Sequence, residues 1–183
     1  LSDATNLPFL SMGNIYRDNK HLLPVETVNR VDQGGLMSDD ECMSFLLPIL
    51  NMFPGGWILD GVPRTVGQAV LMRDAMDMAF SFRVQDDNEL VKRMQSRLFH
   101  VRSGRTYSPF APSKRDGFDD ITGEPLTKRS DDNVQVFMKR LAGHAATIGE
   151  IERALHPKLH IISGTDSREN LRLILDLINC HLW

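Results

Sequence analysis

Gly55-Gly56-Trp57-Ile58-Leu59-Asp60-Gly61-Val62-Pro63-Arg64-Thr65 decides how the chain is read. Trp57-Ile58-Leu59 is a short apolar run with turn residues on both sides, the pattern of a buried strand in a parallel sheet. Asp60 ends the run. Gly61 allows a tight turn and close backbone approach, and Pro63 fixes φ just beyond it. Arg64 then leads into a helical pattern with Gln68, Leu71, Met72, Ala75 and Met76 toward one side. In open α/β sheets ligands bind off the carboxyl ends of the strands, so a carboxylate and a guanidinium stand where a ligand would lie. Arginine suits planar recognition of phosphate, and a carboxylate suits hydrated Mg²⁺. The competing reading is a surface Asp–Arg pair in an ordinary strand–helix loop.

Outward from that stretch, the elements alternate. Leu7-Pro8-Phe9-Leu10 reads as a strand, and Ser11 as the N-cap of a helix carrying Met12, Asn14 and Arg17. Val25 to Val31 reads as a helix ending at Gly34-Gly35. Ser38 and Glu41 form a capping box for a helix through about Asn51, with Met43, Leu46, Leu47 and Leu50 as its buried stripe. Ala79 to Val84 is a further strand. Asp86 and Glu89 cap a helix through about Leu98, on which Arg93 and Arg97 share one face. Residues 100–128 are dense in Gly, Pro, Asp and Ser and predict short hairpins. Ser130 or Asp131 caps a helix bearing Arg140. Leu159 to Ile162 is the last strand, and Leu171, Ile174, Leu175, Ile178 and Leu182 mark the core face of a final helix.

Composition bounds the function. The chain has 183 residues, of which 42% are hydrophobic and 25% charged, enough for one globular domain with small insertions. A net charge of −3 and a pI of about 6.1 favour neither nucleic acid nor a membrane surface as partner. Cys42 and Cys180 stand far apart, the six histidines are scattered, and neither set has metal-ligand or disulfide-framework spacing. A reducing compartment, the cytoplasm, is the expectation, with an organelle as the alternative.

Trp57 to Ala69 resembles the (F/W)-(I/L)-L-D-G-(F/Y)-P-R-T-x-x-Q-A element of adenylate kinases, with Val62 at the aromatic position. Ser11 to Arg17 is similar to the family's S-T-G-D-(M/L)-(L/F)-R, with Met12 at the Thr position and Asn14 at the Asp position. Residues 100–128 resemble the long-form lid, H-x-x-S-G-R-x-Y followed by D-D-x-T-G-E-x-L, without a Cys/His set for zinc. Arg129, Asp131, Asp132, Arg140 and Leu141 match the family's R-x-D-(D/N)…R-L pattern. The family opens with a strand and a G-x-x-G-x-G-K-(G/S)-T phosphate loop. The resemblance puts Leu1 inside the helix after that loop, so the expectation is a chain given from a late start.

The resemblance implies a three-layer α/β fold of the P-loop NTP hydrolase type, a parallel sheet with helices on both faces. The core would be residues 1–10, 53–99 and 129–183. A small helical monophosphate-binding domain would occupy 11–52 and a β lid 100–128. It implies the reaction MgATP + AMP ⇌ 2 ADP by a monomer. Catalytic roles fall to Arg64, Arg97, Arg129 and Arg140. AMP would be held by Met12, Arg17, Leu36, Met37, Gly61, Arg64 and Gln68. ATP would be held by Arg93, Arg97, Arg105, Gly164, Thr165 and Asp166. Asp60 and Asp132 would anchor hydrated Mg²⁺. Two alternatives stay open: a nucleotide- or partner-binding protein without catalysis, and a kinase with another base preference, such as a GTP donor.

Overall fold

A computed structural model describes residues 1–83, 87–109, 111–128, 134–163 and 166–181. Its elements run in the order α1 (Ser2–Thr5), β1 (Phe9–Ser11), α2 (Met12–Asn19), α3 (Val25–Asp32), α4 (Asp39–Leu50), β2 (Ile58–Asp60), α5 (Val66–Met72), β3 (Ala79–Phe82), α6 (Asp87–Ser96), β4 (Leu98–Phe99), β5 (Thr106–Tyr107), α7 (Val134–Leu155), β6 (Leu159–Ile162) and α8 (Ser167–His181). The fold is mixed α/β. Among the described residues, β1 pairs in parallel with β2 and β3 pairs in parallel with β6. Each pair is closed by a long crossover that contains helices, as parallel pairing requires. The third pair, β4 with β5, is antiparallel and lies in the 100–128 region's first hairpin.

The register of the first pair matters most. Phe9 faces Ile58, Leu10 faces Leu59 and Ser11 faces Asp60, so both strands finish side by side and their following loops start together. Strand limits differ from the sequence reading by a residue or two. β1 extends through Ser11, which starts α2 without a side-chain capping bond. β2 is Ile58–Asp60, with Trp57 just before it. Ladder bonds, not side-chain polarity, decide these ends: Ser11 and Asp60 are polar yet paired. α6 stops at Ser96, because Leu98-Phe99 is taken up by the hairpin with Thr106-Tyr107. Arg97 therefore sits beyond the helix on which it was expected to share a face with Arg93. The capping box of Asp86 with Glu89, the cap by Ser130 or Asp131, and the positions of Val84 and Leu182 lie outside the described residues.

One apolar cluster holds the helices to the first strand pair. It includes Met12 and Tyr16 of α2, Cys42, Met43, Leu46 and Leu50 of α4, Ala69 and Met72 of α5, and Ile151 and Leu155 of α7. The buried stripe of α4 thus runs through Cys42 and Met43 to Leu46 and Leu50. Leu47, expected in it, is 41% exposed, since it points off the arc that these residues share. β3 is tied to α7 by the Ser81 hydroxyl, which donates to Glu152 at 2.8 Å, and by the Arg83–Glu152 ion pair. Cys42 is buried and Cys180 exposed, both as free thiols.

α3 and α4 are clamped by one carboxylate. The Ser38–Glu41 capping box forms as read: Ser38 N–H donates to Glu41 Oε2 at 2.7 Å and Glu41 N–H to Ser38 Oγ at 3.2 Å. Glu41 also accepts from the Thr27 hydroxyl and from Arg30 of α3. Led by the Thr27 bond and then the Ser38 N–H, these donors lower its pKa from 4.5 to about 2. A depressed carboxyl stabilises the fold above its unfolded pKa and loses that contribution as pH falls through its folded one. The α3–α4 pair is therefore expected to loosen as pH drops from about 4.5 toward about 2. Hydrogen exchange of 25–50, corrected for its intrinsic pH dependence, should show this opening. In Glu41→Gln the opening should already be present at neutral pH and vary little with acid.

Candidate functional site

The carboxyl ends of β1 and β2 build the site. Because Ser11 is opposite Asp60, Met12 and Gly61 leave the two strands as neighbours. Gly61 has φ +90°, and a Cβ there would lie 3.4 Å from both the Arg64 Nη2 and the Met12 Cβ. The positive φ is what favours glycine here, and the added Cβ would only just touch its neighbours. Arg64 is fixed by its own loop: its Nε–H donates to the Gly61 carbonyl at 2.8 Å, and its backbone N–H donates to Gln68 Oε1, also at 2.8 Å. With Nε engaged, the outer guanidinium nitrogens remain for a ligand.

Arg64 is open to solvent on one side and closed in by protein on the others. Desolvation lowers its pKa, the nearby Arg140 charge lowers it further, and Asp60 and Cys42 act in the opposite direction. Charges on different elements therefore act on one another here: Arg64 of the β2–α5 loop lies within electrostatic reach of Arg140 on α7 and Asp60 on β2. Neighbouring arginines repel unless an anion lies between them, and a phosphate group is one anion that meets that need. Cys42 forms part of the same wall. Burial first, then Asp39, pushes its thiol up to about 11, while Arg64 pulls it down. It stays a neutral apolar contact.

Arg17 lies on α2, the helix that follows β1 directly. Its guanidinium folds back along the helix and would be 3.4 Å from a Cβ on Gly13, held there by donation to Asn14 Oδ1. Asn14 is also where the hairpin region touches the small helical part: a Cβ on Gly104 would lie 2.7 Å from Asn14 Nδ2. Gly104 has φ +68°. A second contact joins Gly34 to Val136 of α7, 2.9 Å from a notional Cβ.

Other expected residues fall differently. Gln68 is 2% exposed and its side-chain oxygen is already accepting from Arg64, so its amide NH₂ is the part left for a base. Met12 and Met37 are buried; the carbonyl of Leu36 accepts from Arg30 Nε at 2.8 Å. Arg93 lies in the last turns of α6 and Arg97 past its end. Arg105 turns inward and donates through Nε and Nη2 to Asp119, at 2.8 and 2.6 Å. The Asp166 carboxylate accepts from the backbone of Arg168 and Glu169 and caps α8, which lowers its pKa. Arg129, Asp132, Gly164 and Thr165 lie outside the described residues.

The 100–128 region is a polar cluster, not an apolar one. His100, 1% exposed, bonds Ser103 Oγ at 2.7 Å and Glu124 Oε2 at 2.6 Å. Asp119, 3% exposed, takes the Arg105 fork, the Tyr107 hydroxyl at 2.9 Å, the Thr122 hydroxyl at 2.9 Å and the Thr122 N–H at 2.8 Å. The Arg105 fork leads these in holding the Asp119 carboxyl well below its usual range, and His100 does the same for Glu124.

Asp60 is exposed at the end of β2, and among the described residues no group of three or more His, Cys, Asp or Glu could cage a metal ion. One open carboxylate is a ligand type suited to Mg²⁺ that keeps most of its waters. Among the described residues no helix is long and apolar enough to cross a membrane.

Residues 97–131 match the family model described as the adenylate kinase active site lid. A curated protein of Blochmanniella floridana named adenylate kinase is 39% identical over 120 residues, which cover 62% of this chain and 53% of that protein. The chain thus spans about half the length of the curated relative it matches. Its resemblance to the adenylate kinase family holds over the lid and beyond it.

Sequence reading missed two connections. Asn14 was read against its neighbours in the motif, not as the seat of the Gly104 turn. Asp39 stands between Ser38 and Glu41 of the α4 capping box, yet its carboxylate meets the start of α5. The signal for the second was Gly67, a glycine in a helix's first turn where an ordinary residue would be more stable.

Proposed function

We propose, taking kinship with the adenylate kinases as premise, that the chain acts in nucleoside monophosphate phosphorylation, MgATP + AMP ⇌ 2 ADP. The observation that supports this is the Arg64 guanidinium fixed on the Gly61 carbonyl just past the carboxyl end of β2, next to Asp60 in the chain and within electrostatic reach of Arg140. Arg17 and Arg64 hold the acceptor phosphate. Gln68 meets the base through its NH₂, within a wall that includes Met12 and the Leu36-Met37 backbone. Arg140, Arg97 and Arg129 surround the phosphoryl group in flight, and Arg93, with the Gly164 to Asp166 backbone, lies against the donor base. Arg105 acts from within the lid. Asp60 and Asp132 would hold hydrated Mg²⁺, which would supply charge neutralisation at the donor phosphates.

In this reading the protein's work is positioning and charge stabilisation, since phosphoryl transfer needs little covalent help. Closure of 100–128 over the cleft excludes water and suppresses plain hydrolysis of ATP. The Asn14–Gly104 contact supports a lid that meets the acceptor domain directly. The two parallel strand pairs are taken as parts of one sheet in a three-layer core, with 11–52 and 100–128 as the moving parts.

The test is a panel of AMP, GMP, CMP and UMP for binding by calorimetry, and for phosphotransfer with ATP or GTP. Saturable AMP binding that needs the 5′-phosphate, with ADP formed from ATP, is expected. Equal affinity for adenosine and AMP would overturn the phosphate-site assignment. Preference for another monophosphate would keep the reaction class and replace AMP.

A further inference from the structure

We propose that Asp39 is a positioning residue for Arg64, acting across the boundary between the small helical part and the core. The inference rests on the acceptor-phosphate role given to Arg64 above. Asp39 is the first residue of α4, yet its carboxylate serves α5. Its Oδ1 accepts from the Thr65 hydroxyl at 2.5 Å. Thr65 is the N-cap of α5, and its Oγ accepts from the Gln68 N–H at 3.1 Å. Gln68 returns its side-chain oxygen to the Arg64 N–H, and Arg64 closes the chain on the Gly61 carbonyl. Five residues are thus linked in series from the start of α4 to the turn after β2.

Gly67 makes the approach possible. A Cβ there would lie 1.8 Å from Asp39 Oδ2 and 2.7 Å from its Cγ, far inside contact distance. Any side chain at 67 displaces the carboxylate. In this series Asp39 is linked to Arg64 through hydroxyl, amide and backbone groups. Losing Asp39 therefore frees the Thr65 hydroxyl and loosens the loop, without removing a group that touches the ligand.

The experiment measures AMP affinity by calorimetry in the whole chain, for the parent, Asp39→Ala, Asp39→Asn, Gly67→Ala, Arg64→Ala and the Asp39→Ala/Arg64→Ala double variant. Asp39→Ala is expected to weaken AMP binding about tenfold, the scale of a lost hydrogen bond to a charged group. Asp39→Asn, which keeps an oxygen for Thr65, should recover most of that loss, and Gly67→Ala should imitate Asp39→Ala. In the Arg64→Ala background, removing Asp39 should cost clearly less than in the parent, because only the path through Gln68 to the base is left. An equal loss in both backgrounds would overturn the inference and make Asp39 a general prop. A folded parent chain that does not bind AMP would instead overturn the function on which the inference stands.

Discussion

Arg64→Ala is expected to lower AMP-dependent phosphotransfer by about 10²- to 10³-fold, the scale for removing one preorganised donor from a developing charge. Thermal unfolding should shift little, because Arg64 is not part of the apolar cluster and its Nε bond to Gly61 lies at the edge of the cleft. Relief of repulsion from Arg140 works in the variant's favour when no ligand is bound. Binding affinity should likewise fall for AMP and not for adenosine, which has no phosphate to grip. Arg64→Lys should recover only part of the activity: an ammonium restores charge but not the planar fork, and cannot donate to Gly61 and a phosphate in the same geometry. Near-normal turnover in Arg64→Ala would remove the acceptor-phosphate assignment.

Asp119→Ala is expected to melt the 100–128 region while leaving the rest folded. That region has little apolar core of its own, so its order depends on buried polar groups that satisfy one another. Asp119 accepts from Arg105, Tyr107, Thr122 and two backbone N–H groups, and its removal strands all of these donors at once. Exchange protection should fall by about two orders of magnitude or more at Phe99, His100, Gly123, Leu126 and Thr127, the scale at which a broken buried pair shifts an equilibrium. Protection in α4, α5 and α7 should hold. Asp119→Asn should fare little better, since an amide turns a donor toward Arg105. Under the proposed function the variant should also hydrolyse ATP more relative to transfer, as water enters the cleft.

Acid should act on the same residues. Asp119 and Glu124 both have folded pKa values below their ordinary ones. Their stabilisation is therefore complete above the unfolded carboxyl range, about 3.9 to 4.3, and declines only as pH falls through the depressed values. The region should keep its protection at pH 5 and lose it well below pH 4. A loss already complete near pH 6 would contradict the Asp119 cluster as its source.

The order of strands and helices was largely legible in the sequence because it rests on local patterns. Trp57-Ile58-Leu59 bounded by glycines, the Ser38–Glu41 capping box and the Gly34-Gly35 stop each carry their physical cause within a few residues. The motif around Asp60 and Arg64 was readable for the same reason: a strand end, a turn and a helix start are consecutive. Element ends were less legible. Whether Ser11 and Asp60 belong to strands depends on each other, and Leu98 left its helix to pair with Tyr107.

What sequence alone determined was which groups the chain carries: the carboxylate and arginines of the candidate site, the polar content of the 100–128 region and only two cysteines, far apart. Tertiary structure decided how those groups are spent. Arg105 was committed inward to Asp119, Gln68 gave its oxygen to Arg64, and Asp39 crossed from its own helix to the start of another. Hydrogen-bond partners distant in sequence leave no periodic trace, because a donor's identity says nothing about which acceptor the fold will bring within 3 Å.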